Sequence, residues 1–479
     1  MIQKPKTYQT QPPMQAPAEG KAAPNLANSA TFPPSQSICL IGASVRAAAE
    51  SAKSAGYAVF SVDQFGDRDT LAASEQHLAL PSLREISGPN HHDFRRQLAE
   101  WVRVMPMVFV GGVRFSGELL RYLPLSDSQN RLVASARQLQ QFDYLREACE
   151  SVKIDLPVTR RLNDAEFLRT SQDDTLGAAS NAWLLKQSDH CGGLGVRWLD
   201  SKLVSQLIQP PSKSAVTHGD SVIQHWVPGR LFGTSLLSNG REVGILGTCR
   251  GRFTRLGDLP FVYSGSFGPV PLNTEIQSVL KSLGERLVHS TGFRGVFNVD
   301  WILTESKQPC VLEVNPRWSG SVELLERAWR EWHQGSLIVM PFQSIMDWVI
   351  NAIRGDRLPR CLSLSNEKRA ATPSPNQVLP SDKRLWNPRS TWGKRIIFSR
   401  REQLFDPDAV MKSNGFEQGN AVPQPSYSPE VSLHDLPVDR VNAQYGEPLC
   451  TVIFRWDQSG DIAACRRYRT SVRKLSHGL

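Results

Sequence analysis

Residues 292–321, GFRGVFNVDWILTESKQPCVLEVNPRWSGS, constrain this chain more than any other stretch. Alternation of apolar and polar residues over 296–303, a polar run at 304–308 and renewed alternation over 310–315 read as an antiparallel hairpin. Strand periodicity puts Val296, Asn298, Asp300 and Ile302 on one face of the first strand, and Val311, Glu313 and Asn315 on one face of the second. The midpoint between Asp300 and Glu313 falls inside the turn, so a symmetric hairpin sets the two carboxylates opposite each other. Directly opposed residues have Cβ atoms about 5 Å apart, and like charges there repel. Val299, Trp301, Leu312 and Val314 surround them, so leaving both acids bare would be costly. A bound cation resolves the conflict, because two carboxylates and the Asn315 amide oxygen form an all-oxygen set suited to Mg²⁺ shared with phosphates. The plainer reading, a solvated hairpin face, fits poorly with acids set inside apolar strands. It also leaves unexplained Asn-Pro-Arg at 315–317, which halts the strand and presents a guanidinium beside the proposed metal.

Length bounds the rest. A chain of 479 residues holds two to four domains with ample material for a core. No apolar run approaches the ~20 residues needed to span a bilayer. The N-terminus lacks a charged-then-apolar signal pattern, so a cytoplasmic protein without a membrane partner is expected. The eight cysteines are scattered with no C-x-x-C pair, which argues for reduced structural thiols and against a cysteine-rich zinc site. A net charge of +9 is spread widely without a long Lys/Arg block, so it favours anionic ligands such as nucleotides and acidic substrates over nucleic acid.

Along the chain, residues 1–36 are rich in Pro, Gln, Ala and Ser and read as a disordered leader. An apolar strand at 37–42 breaks at Gly42, a helix follows at 45–55, and a second strand at 58–62 ends at Asp63. This βαβ opening has an acid about 20 residues after its glycine, like a dinucleotide site, but Gly42-Ala-Ser-Val-Arg-Ala lacks the further glycines that site requires. Helices are expected at 93–104 and 132–152 and a strand at 107–111. A strand at 182–186 ends in Lys186, then a loop holding Gly192, Gly193 and Gly195 returns as a strand, making a small flap. Glycines there let backbone N–H groups approach phosphate oxygens. The strand at 221–227 stops at Pro228-Gly229. Strands at 231–238 and 243–250 lead to a loop, GRFTRLGDLPFVYSGSFGPV, in which Arg250, Arg252 and Arg255 cluster either as anion contacts or as ordinary solvated charges. A helix at 275–291 precedes the hairpin, with apolar residues at core-packing spacing. Helices at 323–330 and 340–353 follow it. The stretch 365–392 is linker-like, 394–399 and 449–454 are short strands, and the tail from Cys465 is basic.

An Asp on one hairpin strand and Glu-x-Asn on the next resembles the second nucleotide-binding subdomain of the ATP-grasp superfamily. EVNPRWSGSVE is similar to the variant typical of its carboxylate–amine ligases. The run VDQFGDRDT resembles the pre-ATP-grasp domain, and DLPVDRVNAQYGEPLCTVIF a small β-rich C-terminal module. The resemblance implies an α/β (α+β) fold. Its parts are a pre-ATP-grasp βαβ domain at 37–135, ATP-grasp subdomains at 136–228 and 229–355, and a linker, small β-rich module and basic tail at 366–479. It implies that Asp300, Glu313 and Asn315 hold the metal. Lys186, Gly192, Gly193, Gln224, His225, Val227 and Leu312 would contact ATP, and Arg317 would serve catalysis at the transferring phosphoryl group or substrate carboxylate. ATP and Mg²⁺ would be the cofactors, with Mn²⁺ as the alternative ion. The partners would be a small-molecule carboxylate and an amine, joined through an acylphosphate in small-molecule or cofactor biosynthesis; a member similar to tyramine–glutamate ligases is one candidate, and a homo-oligomer is compatible. Many members carry a lysine where Tyr144 follows Asp143. Two other readings stay open: a carboxylase-like enzyme acting on bicarbonate, and a non-catalytic nucleotide-binding regulatory protein.

Overall fold

The structure is a computed structural model; it describes residues 36–81, 91–111, 120, 123–162, 183–187, 190–208, 221–334, 342–363, 390–413, 431–457 and 470. Residues 1–35 of the leader, 365–389 of the linker-like stretch and most of the basic tail lie outside the described residues.

The N-terminal part is a parallel sheet of β1 (Ser37–Ile41), β2 (Ala58–Asp63), β3 (Gln76–Ala79) and β4 (Met107–Phe109) in the order β3-β2-β1-β4. Every residue of β1 is buried, as a central parallel strand covered on both faces requires. Helices α1 (Arg46–Ser54), α2 (Arg68–Ala73) and α3 (His92–Val104) connect these strands. Asp63 closes the first turn itself: its carboxylate accepts from the backbone N–H groups of Val45 at 3.2 Å, Phe65 at 3.2 Å and Gly66 at 2.9 Å. That acid is therefore occupied within the fold. Helix α4 (Asp127–Leu139), begun by a Ser126/Gln129 capping box, and α5 (Phe142–Val152) lead out of this domain.

The second unit is a small antiparallel sheet, β5 (Thr159–Arg161), β6 (Trp183–Lys186), β7 (Val196–Trp198) and β8 (Val222–His225), ordered β5-β8-β6-β7. The third is built on β9 (Arg230–Asn239), β10 (Val243–Leu256), β11 (Leu259–Gly268), β12 (Arg294–Leu303) and β13 (Pro309–Asn315). The helix Thr274–Thr291 packs across this sheet; Asn273 caps its start, and it ends on Gly292 at φ +64°, where the hairpin begins. Trp301 anchors the back of the hairpin, stacked on Phe232 at 4.8 Å and donating to Thr234 Oγ1 at 2.9 Å.

Two expectations change. The stretch from Gly251 reads as a loop because charged residues and glycines interrupt its alternation, yet β10 and β11 continue through it as a long hairpin turning at Gly257. Where two short C-terminal strands are expected, the described residues form five, β14 (Ser390–Phe398), β15 (Gln403–Phe405), β16 (Val431–His434), β17 (Val441–Ala443) and β18 (Pro448–Asp457), the first and last of them longer than expected. Three of them do not stand apart. They extend the third unit into one eight-stranded sheet, β13-β12-β9-β10-β11-β14-β18-β16, while β15 and β17 pair separately.

A buried ionic joint ties the pieces together. Arg46 of α1 is 1% exposed; it donates to both oxygens of Glu323, to Glu50 at 3.0 Å and to Asp435 at 2.8 Å. Lys394 of β14 adds a bond to Glu323 at 3.1 Å, and His434 of β16 lies 3.3 Å from Asp69 and 3.6 Å from Glu50. Burial alone would raise these carboxyls, but Arg46, with help from Lys394 at Glu323 and Asp435 and from His434 at Glu50 and Glu323, outweighs it, and all three are held below the ordinary range. Among the described residues no helix is long and apolar enough to cross a membrane.

Candidate active site

The hairpin pairs Asn298 with Asn315 and Asp300 with Glu313, the register that the symmetric turn predicts. One detail departs from strict alternation. Trp301 faces Val311, so Leu312 is the extra residue of a β-bulge. The bulge puts Val311 into the core with Trp301, away from Glu313, and leaves Leu312 half-buried beside the acids.

The two carboxylates are satisfied atom by atom. Asp300 Oδ1 accepts from Asn298 Nδ2 at 2.7 Å and Oδ2 from Asn315 Nδ2 at 2.8 Å. Glu313 Oε1 accepts from Asn315 Nδ2 at 3.1 Å, and Oε2 from Lys186 Nζ at 3.2 Å. Asn315 Oδ1 in turn accepts from Arg317 Nη2 at 3.0 Å. Burial and the facing Glu313 push Asp300 up to about 7, whereas Lys186 holds Glu313 down to about 2. The like-charge conflict thus falls on Asp300, and Glu313 keeps its charge.

Lys186, at the end of β6, also donates to the buried Gln224 Oε1 at 3.4 Å, and Gln224 Nε2 donates to Thr159 Oγ1 at 3.1 Å. The small sheet is therefore connected to the hairpin through the lysine and glutamine singled out from sequence. The glycine loop lies over the same recess, docked on β11: Gly192 C=O accepts from Tyr263 N–H at 2.8 Å. Gly193 sits at φ +80°, and a Cβ there would lie 1.7 Å from the Phe261 carbonyl oxygen. Trp198 meets Phe261 at 5.4 Å and Trp226 at 5.7 Å, an aromatic contact between flap and sheet that sequence reasoning missed.

His225 is exposed, its N–H is bonded to Val158 C=O at 2.8 Å, and its ring meets Trp183 edge-on at 5.2 Å. That N–H is spent inside the small sheet. Val227 is half-buried at the crossing between the two sheets. Tyr144 donates its hydroxyl to Leu287 C=O at 2.8 Å and so packs on the helix Thr274–Thr291. Arg250, Arg252 and Arg255 are exposed along the long hairpin, and Arg255 bonds the Gly257 carbonyl of its own turn.

Arg317 stands where the N-terminal domain meets the hairpin. Trp318 N–H donates to Phe109 C=O at 3.0 Å, and a Cβ on Gly111 would lie 3.6 Å from Arg317 Nη1. The guanidinium thus borders the carboxyl ends of β1 and β4, where open parallel sheets take ligands. The donor set suits a hard divalent cation. Two opposed carboxylates and an amide converge there, and a Cβ on Gly233 would fill the cradle, 3.0 Å from Asp300 Oδ1.

Residues 147–321 match the family profile of the ATP-grasp domain. The chain carries an ATP-grasp domain. Solved structures extend the likeness to the whole fold. Carboxyaminoimidazole ribonucleotide synthase from Aspergillus clavatus, complexed with ATP, is 14% identical with a TM-score of 0.58; the match covers 92% of this chain and 99% of that one. The L-amino acid ligase from Bacillus licheniformis is 15% identical with a TM-score of 0.55, covering 92% and 97%. N5-carboxyaminoimidazole ribonucleotide synthetase from Thermus thermophilus is 12% identical with a TM-score of 0.54, covering 92% and 99%. No curated protein sequence matches the chain. The fold shared with these structures thus spans the N-terminal sheet, the small antiparallel sheet, the third unit and the C-terminal strands.

Proposed function

We propose that this ADP-forming ATP-grasp ligase activates a small-molecule carboxylate with ATP and joins it to an amine. The observation that carries the reading is the opposed pair Asp300 and Glu313 with the Arg317 guanidinium beside it, at the seam with the N-terminal strand ends. Asp300, Glu313 and Asn315 are the residues to hold Mg²⁺ or Mn²⁺. When bound, the ion would supply neutralisation of phosphate charge.

The chain's own groups account for the remaining work. Lys186 can leave Glu313 for a phosphate oxygen, a shift its flexible stem allows. The glycine loop offers backbone N–H groups to the phosphates and, seated on β11, excludes water. Gln224, Val227 and Leu312 border the nucleotide's recess, with His225 contributing backbone alone. Arg317 receives the substrate carboxylate as a planar fork and aligns one oxygen with the γ-phosphorus. That oxygen forms the new P–O bond as the bond to ADP breaks. The amine nitrogen then attacks the acyl carbon, phosphate leaves with the C–O electron pair, and the nitrogen loses a proton to give the amide. No protein nucleophile is required.

The test is ADP release with Mg²⁺ and ATP against a panel of amino acids, other carboxylates and amines, comparing wild type with Glu313→Ala. Acceptor-dependent release that disappears in the variant supports the reading; release that survives Glu313→Ala refutes the site assignment. A second reading replaces the carboxylate by bicarbonate. It is favoured by the name of two fold neighbours, since carboxyaminoimidazole denotes a carboxylated amine. Bicarbonate-dependent ADP release would select it.

A further inference from the structure

The hydrogen bonds at Asn315 can be read in only one orientation. On one side Glu313, paired with Lys186, only accepts, and on the other the Arg317 guanidinium only donates. The amide must therefore present Nδ2 to Asp300 and Glu313 and Oδ1 to Arg317, and the distances of 2.8, 3.1 and 3.0 Å agree. Both amide hydrogens and the oxygen are in use. This arrangement opposes the role proposed above. To ligate a cation held between Asp300 and Glu313, Asn315 must turn Oδ1 toward them. Nδ2 then faces Arg317, donor against donor.

We propose that the Asn315 amide is a two-position coupler that holds Arg317 back until the metal site is filled. With Nδ2 on the carboxylates, the guanidinium is tethered at the hairpin. With Oδ1 turned inward, that tether cannot exist, and the guanidinium is freed to take up a substrate carboxylate at the strand ends it already borders, beside Gly111. Lys186 is displaced from Glu313 by the same event, because it occupies the fourth carboxylate oxygen. Asn315 is thus a positioning residue for Arg317 as well as a ligand. Substrate carboxylate capture follows metal loading rather than preceding it. The coupling is reciprocal: whatever draws Arg317 away favours the inward amide.

The inference rests on the metal assignment, so the test separates the two. Mn²⁺ binding to the full chain is measured by the paramagnetic resonance of the free ion, with Glu313→Ala alongside. Equal binding by wild type and Glu313→Ala overturns the metal assignment itself. If Glu313→Ala loses binding, the coupling is tested by Arg317→Lys and Arg317→Met, each in the wild-type and the Asn315→Ala background. Lysine, like arginine, can only donate to Asn315 and methionine offers it nothing, while the Asn315→Ala pair carries the charge difference alone. The advantage of Arg317→Met over Arg317→Lys in Mn²⁺ affinity is expected to be on the order of tenfold larger with Asn315 present than without it, the size of one hydrogen bond lost from the resting state. The same ratio in the two backgrounds overturns the coupling and leaves the metal site standing. A second readout needs no substitution: phenylglyoxal labelling of Arg317 in wild type, followed by peptide mass spectrometry, should accelerate severalfold at saturating Mn²⁺. Slower or unchanged labelling overturns the proposal.

Discussion

Replacing Arg46 by methionine tests the physical account of how the three parts hold together. The guanidinium is 1% exposed and meets three carboxylates, two of them, Glu323 and Asp435, through bonds that no other residue duplicates in full. After Arg46→Met, Glu323 keeps Lys394 at 3.1 Å and Arg327 at 4.0 Å, and Glu50 keeps His434 at 3.6 Å. Asp435 loses its closest cation. Breaking a buried ion pair from one side strands a charge and costs about 3–5 kcal/mol; the remaining cations place this case nearer 3. With a urea slope of about 3 kcal/mol/M, the midpoint of the first transition should fall by about 1 M at pH 7. The double variant Arg46→Met/Asp435→Asn removes the stranded charge, so it should recover about 1 kcal/mol or more of the loss. Urea unfolding followed by tryptophan fluorescence gives both numbers. A single variant costing under about 1 kcal/mol, or a double variant less stable than the single, would refute the account.

Three further outcomes follow from the same geometry. Gly193→Ala must leave a positive φ and clear the Phe261 carbonyl, so the flap unseats; the KM for ATP should rise about tenfold or more with little change in melting temperature, as steady-state kinetics and a thermal melt would show. The folded pKa values of Glu323, Glu50 and Asp435 lie below their unfolded values. Their stabilisation is therefore complete above about pH 5 and is lost as pH falls through the folded values. Glu323→Gln should flatten the acid limb of a stability–pH curve, and an unchanged limb counts against it. Burial and Arg46 push the His434 imidazole down, but Asp69 and Glu50 outweigh them and raise it, so its contribution is full below about pH 6.5 and fades as pH rises through the folded value. His434→Gln should then cost more stability at pH 6 than at pH 9 in paired urea titrations.

What could be read in advance was local. The register of Asp300 against Glu313 follows from counting residues across a short turn, and Asn298, Asn315 and Arg317 fall into place with it. Lys186 and the glycine loop were visible for the same reason: a strand, a flap and a return lie within a few residues. The bulge at Leu312 was not, because an inserted residue leaves no mark on composition. Val311 was accordingly expected on the acids' face and is found in the core. Longer-range features were hidden altogether. Arg46 and Glu323 lie 277 positions apart, and nothing in either neighbourhood announces the other. The pairing of β14 with β11 is similarly non-local, and the glycines there, Gly268 opposite Trp392 and Gly393 opposite Phe267, look like loop signals in isolation.

The eight-stranded sheet also sets a problem of timing on the ribosome. β11 is complete at Gly268, but its outer neighbour β14 begins only at Ser390. At about 5–20 residues per second, the intervening stretch takes roughly 6–25 s to emerge. Throughout that interval the nascent third unit presents a strand of ten residues with an open hydrogen-bonding edge. The newborn chain is thus a substrate for chaperones that bind nascent chains and for edge-to-edge association with its siblings on the same message. Synonymous codon changes that slow translation between the two strands would lengthen the exposure and lower soluble yield without altering a single residue.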